Sequence, residues 1–247
     1  MKPSLLSFVV PAHNEEALLA STLHAIHEAA RACAVDYEIV VADDGSTDRT
    51  ALIAAESAAR VLPVHHRQIA ATRNSGARAS KGDMLVFVDA DTLINAAVLQ
   101  AAIDEVVDGA VGGGATVCFD GRVPFYARAL LPMLTAGMRV MRLAAGCFVF
   151  CTRAGFDAAR GFDETLFAAE ELAFSTALKR LGRFVIVRAA VSTSGRKLRT
   201  YSGLEVLRIL GRFAISGRKM IEQRDHMGLW YDPRRVDPAP GRIDAAK

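Results

Sequence analysis

With 247 residues, 51% hydrophobic and 23% charged, the chain can bury a sizeable core as one α/β domain with a tail or as two small domains. A net charge of +3 is too small to indicate nucleic acid, and no apolar run reaches the ~20 residues of a membrane span. The N-terminus enters a strand within a few residues, leaving no room for a signal peptide, so a cytoplasmic protein is expected.

Leu5 to Val10 reads as a first strand ended by Pro11, with Asn14 capping a helix whose Glu15 and Glu16 complement its dipole. Tyr37 to Ala42 is a second strand that ends on Asp43-Asp44, and Gly45-Ser46-Thr47 turns into a helix through about Ala59. Val61 to His66 is a third strand, and Gln68 to Lys81 a helix carrying Arg73 and Arg78. Met84 to Val88 is then apolar throughout and opened by Gly82-Asp83, the pattern of a strand buried on both faces. It stops on Asp89 and Asp91, which delivers two hard oxygen ligands to the carboxyl edge of a sheet, where open α/β sheets bind ligands. A helix from about Asn95 to Val107 follows. This alternation with short connections demands a parallel sheet with helices on both faces.

After Gly109 the pattern changes. Ala110 to Asp120, containing Gly112-Gly113-Gly114, opens a mixed half as a strand. Pro124 to Leu143 is helical, its apolar residues suiting a core-facing or, less often, an interfacial helix with Arg128, Arg139 and Arg142. Cys147 to Cys151 is a strand, Gly155 to Glu164 a turn region, Glu170 to Leu181 a helix closed by Gly182, and Phe184 to Val187 a strand. Cys33, Cys118, Cys147 and Cys151 are expected to be buried free thiols, with neither zinc nor disulfides. From Arg183 to Arg242 there are 13 basic against 5 acidic residues, which suits phosphate groups or an anionic membrane surface unless it is a solvated face.

Phe8 to Glu16 (FVVPAHNEE), Ile39 to Thr50 (IVVADDGSTDRT), Ala71 to Gly76 (ATRNSG) and Val88 to Asp91 (VDAD) resemble, in order and spacing, motifs of the family 2 inverting glycosyltransferases of the GT-A fold. Gly161-Phe162-Asp163-Glu164 followed by Glu170-Glu171 is similar to that family's acceptor-side motif. The resemblance implies a GT-A domain over residues 1–200, with a nucleotide-binding half at 1–108 and an acceptor-side half at 109–200. Residues 201–247 remain as a basic C-terminal helical extension and tail. It implies an α/β fold, Rossmann-like, with a mostly parallel central sheet.

The same resemblance places Pro11, Asn14 and Glu15 on a loop against the nucleotide, and makes Asp43 an acceptor for the base with Asp44 behind it. Asp44, Ser46 and Asp48 also suit a helix-capping turn. It puts Arg73 near the donor phosphates, with Asp89 and Ala90 lining the donor, and assigns Mg²⁺ or Mn²⁺ to Asp91 with Asp89. A divalent cation there stabilises the charge that a departing nucleoside diphosphate gathers. Glu171 takes the position of the family's Asp general base, with Glu170 in support, although Glu is one methylene longer than the usual residue. No downstream histidine stands where some members add a third metal ligand, so water completes the shell or His226 folds back. Arg196, Lys197 and Arg199 form either a basic loop over the diphosphate or a solvated surface.

The implied partners are a nucleotide-diphosphate sugar and an acceptor that is lipid-linked or a saccharide. The helix at 125–143 and Arg208, Arg212 and Lys219 keep a peripheral contact at the inner face of the membrane open. Two alternatives stand beside this reading. One is a nucleotide-sugar-binding module without turnover, for which the Glu171 departure leaves room. The other is a haloacid-dehalogenase-like phosphotransferase, disfavoured because three βα units precede the Asp-x-Asp strand and Leu93 replaces the expected Thr or Val.

Overall fold

In the computed structural model, which describes residues 2–200 and Glu205, four strands lie side by side in the order β3-β2-β1-β4, all parallel. They are β1 (Leu6–Ala12), β2 (Tyr37–Asp44), β3 (Arg60–Val64) and β4 (Met84–Val88). The expected basic extension from residue 201 falls outside the described residues, Glu205 apart. Helices α1 (Leu19–Ala32), α2 (Thr50–Glu56) and α3 (Ile69–Ala79) make the crossovers. Burial follows the two-residue period of the pleat. Leu6, Phe8 and Val10 of β1 and Met84, Val86 and Val88 of β4 pack with α1 and with α4 (Ala96–Val107). Val9, Leu85 and Phe87 face a second core with α3, α6 (Arg153–Ala159) and α7 (Glu170–Leu181). The all-apolar run of β4 is thus explained, since both of its faces are covered.

The second half continues the sheet as β7-β6-β8-β5, with β5 (Thr92–Leu93), β6 (Ala110–Phe119), β7 (Phe148–Thr152) and β8 (Arg183–Thr193). β7 runs antiparallel to β4 and β6, β8 is parallel to β6, and β5 is antiparallel to β8. β5 starts only four residues after β4 ends, a reach of at most ~14 Å, yet sits at the far edge of the strand order. Only a curled sheet satisfies both conditions. The curl brings the carboxyl end of β8 over that of β4. Gly113 permits it: a Cβ there would stand 2.2 Å from the Val185 carbonyl oxygen.

Several elements differ from the sequence expectations. β1 continues through Pro11 to Ala12, because a strand loses only one ladder hydrogen bond at proline. Asn14 does not cap α1, which begins at Leu19. It holds φ 52° and uses its side chain elsewhere. The helix after Gly45 is the single short α2. The expected turn region at 155–164 contains α6, capped by Thr152, whose hydroxyl accepts from Gly155 N at 3.0 Å. β8 runs six residues beyond Val187, because a bulge between Val187 and Ala190 absorbs the polar Arg188 without ending the ladder. The helix α5 (Phe125–Val140) does not bury its whole apolar face: Phe125, Met133 and Val140 are exposed. Cys118 is likewise exposed rather than buried, being on an outer position of β6.

Candidate active site

Four parallel strands ending together place the Ala12–Glu16, Asp43–Ser46 and Asp89–Asp91 loops on one edge. The first two loops are bound to each other. Asn14 N donates to Ser46 Oγ at 3.0 Å, Thr47 N donates to Asn14 Oδ1 at 2.8 Å, and Glu15 N donates to Thr50 Oγ1 at 2.7 Å. His13 Nδ1 lies 2.9 Å from the Asp44 carbonyl oxygen. The two neighbouring acids of β2 have different surroundings. Asp44 accepts from the backbone N–H groups of His66, Arg67 and Gln68 at 2.7–3.2 Å and from the Thr72 hydroxyl at 3.0 Å, holding the β3–α3 loop. Asp43 accepts from Ser46 N at 3.3 Å and stands two strands from β4, about 10 Å at ordinary strand spacing.

Arg73, on α3, is 1% exposed and reaches across the edge. Its Nη2 donates to Asp89 Oδ1 at 2.7 Å and to the Gly146 carbonyl at 2.9 Å, while Nη1 donates to Glu170 Oε1 at 2.6 Å. Its guanidinium also lies 5.3 Å from the centre of the Phe162 ring. Burial alone would lower its pKa, but Asp89, Glu170 and Glu171 raise it above the ordinary value. The sequence reading put Arg73 near the donor; the structure shows it as a strut between two acids, one of them on the Asp-x-Asp loop. Both carboxylates lie 16 or more residues away in sequence, so no local pattern revealed them.

α7 begins on Ala169 in the left-handed region, which sets Glu170 and Glu171 into its first turn. Glu170 is buried against Arg73; Glu171 is half-buried. A Cβ placed on Gly146 would lie 3.2 Å from Arg73 Nη2 and 3.5 Å from the Glu171 carboxyl carbon, which locates that carboxyl beside the strut. Loss of water around it and then the charge of Glu170 push the Glu171 carboxyl up to about 8, with Arg73 opposing. The buried Cys147 thiol is raised by burial, then by Asp89 and Asp91, and also by Glu171. These three acids therefore share one electrostatic neighbourhood, which Asp43 flanks.

The curl of the sheet supplies the other wall. Thr92 pairs with Thr193, and Ser194 N donates to the Asp91 carbonyl at 3.1 Å. The next residues place Arg196 Nη2 on Glu15 Oε1 and Oε2 at 2.8 and 3.1 Å and on Asp91 Oδ2 at 3.1 Å. Arg199, at the end of the same turn, pairs with Asp120 at 3.0 Å, both side chains 4% exposed. Asp120 also accepts from Gly195 N at 2.6 Å. The sequence reading missed Asp120, although it closes β6 before Gly121 much as Asp43-Asp44 close β2 before Gly45. Ala90 turns its carbonyl to the Thr22 hydroxyl at 2.9 Å, so its place between the acids is fixed from α1. Pro11 is buried within β1.

A divalent cation suits this edge by donor type and by charge. Counted as formal charges, Glu15, Asp89, Asp91 and Glu170 against Arg73 and Arg196 leave two negative charges when Glu171 is protonated. The donors are hard oxygens, as Mg²⁺ and Mn²⁺ prefer. Among the described residues no three His, Cys, Asp or Glu side chains group closely enough to hold a metal by themselves. A metal held here would draw its remaining ligands from water or from a bound molecule's oxygens.

The second motif pairing is structural. Asn74 Nδ2 donates to the Phe162 carbonyl at 2.9 Å and to Glu164 Oε1 at 2.8 Å, and Phe162 N returns a bond to Asn74 Oδ1 at 2.9 Å. Gly161 sits at φ +73°, where a Cβ would meet Asn74 Oδ1 at 2.5 Å. The lock between these segments orients α3 against the start of α7, and with it Arg73 against Glu170.

Comparison with known proteins identifies the family and the fold. The family model for glycosyl transferase family 2 matches residues 7–159, and the chain belongs to that family. Over 105 residues, 40% of the chain, it is 35% identical to validoxylamine A glucosyltransferase of Streptomyces hygroscopicus subsp. limoneus, covering 23% of that protein. It is 37% identical over 102 residues to undecaprenyl-phosphate 4-deoxy-4-formamido-L-arabinose transferase of Pseudomonas paraeruginosa, with 37% of this chain and 30% of that protein covered. The matched stretch thus spans less than a third of either relative. Among solved structures, the mannosyltransferase PcManGT of Pyrobaculum calidifontis, in complex with GDP-Man and Mn²⁺, superposes with a TM-score of 0.66 at 19% identity, covering 90% of this chain and 63% of that one. Residues 1–349 of TarS from S. aureus give 0.61 at 20% identity, covering 90% and 67%. These likenesses establish the GT-A fold.

Proposed function

We propose that this family 2 chain is a metal-dependent inverting glycosyltransferase, moving a sugar from a nucleotide-diphosphate donor to an acceptor hydroxyl by single displacement. The observation that carries the reading is the Arg73 strut, which ties the Asp-x-Asp loop to the Glu170-Glu171 helix start. It sets a cation-suited donor end and a high-pKa carboxyl side by side on one edge.

In this reading Asp43 accepts hydrogen bonds from the nucleotide base, with Pro11, Asn14 and Glu15 forming the adjoining wall and Asp44 fixing the loop behind. Asp91 and Asp89 would hold Mg²⁺ or Mn²⁺, whose charge stabilises the departing diphosphate when bound. The PcManGT complex contains Mn²⁺ and GDP-Man, which supports the use of a divalent cation with a nucleotide-sugar donor. Glu171 takes the proton from the acceptor hydroxyl at its carboxylate. Two neighbouring acids divide the roles: Glu170 is tied to Arg73, and Glu171, its carboxyl pushed up to about 8 by loss of water, exchanges the proton. A base whose pKa lies near the working pH combines a useful ionised fraction with proton affinity.

For the acceptor, the reading favours a lipid-linked phosphate reached at an anionic membrane surface. No helix among the described residues is long and apolar enough to cross a membrane. α5 nevertheless exposes Phe125, Met133, Val140 and, at its end, Met141, with Arg128, Arg139 and Arg142 exposed alongside. Apolar residues beside a basic flank are what a helix lying in a headgroup layer requires. Beneath it lies a cavity of about 270 Å³ lined by Ala115, Val117, Pro132, Met138 and Leu143 among others. The undecaprenyl-phosphate transferase relative is in keeping with such an acceptor.

The test is a panel of nucleotide sugars, with and without Mn²⁺, read by thermal shift and by donor hydrolysis. One donor should stabilise the chain, by about 2.7 kcal/mol at 100 times its Kd, and be slowly hydrolysed. Binding without turnover on any acceptor would favour the non-catalytic module, and release of phosphate from sugar phosphates the phosphotransferase.

A further inference from the structure

We infer that Arg196 is the donor site's resident cation, holding Glu15 and Asp91 together until a nucleoside diphosphate draws its guanidinium away and leaves Asp91 to the metal. The inference rests on the metal-dependent donor reading and adds a residue that lies outside the segment matching the family model.

Glu15 and Asp91 come from loops 76 residues apart and are brought face to face by the parallel pairing of β1 and β4. Two such carboxylates repel unless a cation lies between them. A single nitrogen, Arg196 Nη2, contacts three of their oxygens at 2.8, 3.1 and 3.1 Å. The side chains are only 16%, 8% and 17% exposed for Arg196, Glu15 and Asp91, so water screens the arrangement poorly. A metal at Asp91 must take the same carboxylate that Arg196 holds.

The backbone beneath Arg196 is anchored on both sides. Ser194 N is bound to the Asp91 carbonyl, Gly195 N to Asp120 Oδ1, and Arg199 Nη1 to the Asp120 carbonyl and carboxylate at 2.7 and 3.0 Å. With its backbone held in this way, Arg196 exchanges partners by movement of its side chain. A diphosphate bound beside Asp91 would offer it more acceptor oxygens than the two carboxylates do, in the fork geometry guanidinium favours. Metal and diphosphate then bind with positive coupling, because each removes the competitor of the other. Arg196 is a positioning residue for the metal through Asp91.

The test is Mn²⁺ titration of the full chain, followed by the electron paramagnetic resonance signal of free Mn²⁺, with and without UDP or GDP. Wild type should bind Mn²⁺ alone weakly and at least tenfold more tightly with its diphosphate. Arg196→Gln should bind Mn²⁺ alone at least tenfold more tightly than wild type, and the diphosphate should then add less. Arg196→Lys keeps the charge and should stay near wild type, whereas a purely structural tie predicts that both variants lose stability and neither gains metal. Mn²⁺ alone should also raise the melting temperature of Arg196→Gln more than that of wild type, a readout that holds even if the variant starts less stable. Equal Mn²⁺ affinity of wild type and Arg196→Gln without nucleotide, while wild type still binds Mn²⁺ with diphosphate, overturns the inference and leaves the donor reading intact. No Mn²⁺ binding by wild type in either condition removes the metal reading, and this inference with it.

Discussion

Arg73 on α3 and Glu170 on α7 meet at 2.6 Å although 97 residues separate them, and the same guanidinium holds Asp89 at 2.7 Å. A cation that pairs two acids in a dry place is sensitive to removal. Arg73→Met would leave Glu170 buried without a counter-charge, at a cost of about 3–5 kcal/mol. We expect urea denaturation to show that loss, and the melting temperature to fall by on the order of 10 °C. An unchanged melting curve would mean that the strut carries no stability.

Glu171→Gln should lower turnover ~10²–10⁴-fold while donor binding stays within about twofold, since it removes proton acceptance and little else. In wild type, kcat/KM should rise with pH up to about 8, where the Glu171 carboxyl loses its proton. The variant's residual rate should lack that rise. A wild-type profile flat from pH 6 to 9 would contradict the base assignment.

The same shift has a consequence for stability. Between the ordinary Glu value and about 8 the folded chain keeps a proton on Glu171 that the unfolded chain has released. The slope of stability against pH is then negative in this window: the contribution is fully present below about pH 4 and declines as the pH rises toward 8. Glu171→Gln cannot titrate, so chemical denaturation at pH 5, 6.5 and 8 should show a smaller decline than in wild type.

Adjacent acids on β2 should separate in their effects. Asp44 accepts four hydrogen bonds from the 66–68 loop and Thr72, so Asp44→Ala should cost about 2–4 kcal/mol of stability. Asp43→Ala should leave the melting temperature nearly unchanged and weaken nucleotide binding roughly tenfold, as loss of one charged hydrogen bond implies. Isothermal calorimetry beside thermal melts distinguishes the two. Equal stability losses at both positions would sink the division of roles.

Sedimentation with phosphatidylglycerol-containing vesicles tests α5. Wild type should pellet with anionic vesicles at low salt, less at 0.5 M salt, and little with neutral vesicles, because the arginine contribution is screened. Met133→Asp with Val140→Asp, both exposed positions, should abolish pelleting without lowering the melting temperature. Wild-type protein that stays in the supernatant at low salt would argue for an acceptor in solution.

Much of this architecture was readable from residue order. The alternation of strands with helices over short connections gave the parallel half, the apolar stretch of β4 implied cover on both faces, and five spaced motifs pointed to the family. The readings failed where a residue's partner is remote. Asn14 looked like a helix cap and instead bonds Thr47, and nothing local to Arg73 showed that it braces Asp89 against Glu170. α6 was hidden by glycines that punctuate the segment around it, and the end of β8 by Arg188, which a bulge accommodates.

What the sequence settled by itself is local: which longer stretches form strands, that carboxylates close two of them, and that Glu170-Glu171 opens a helix. Which acid faces which cation depended on the curl of the sheet. Arg196 meets Asp91 because β5 must join β8 across a reach of four residues, and Asp89 meets Glu170 only through a guanidinium on a third element. Spacing along a chain fixes neighbours within a turn or a ladder, whereas a charge cluster drawn from separate loops and helices is fixed by how the layers close.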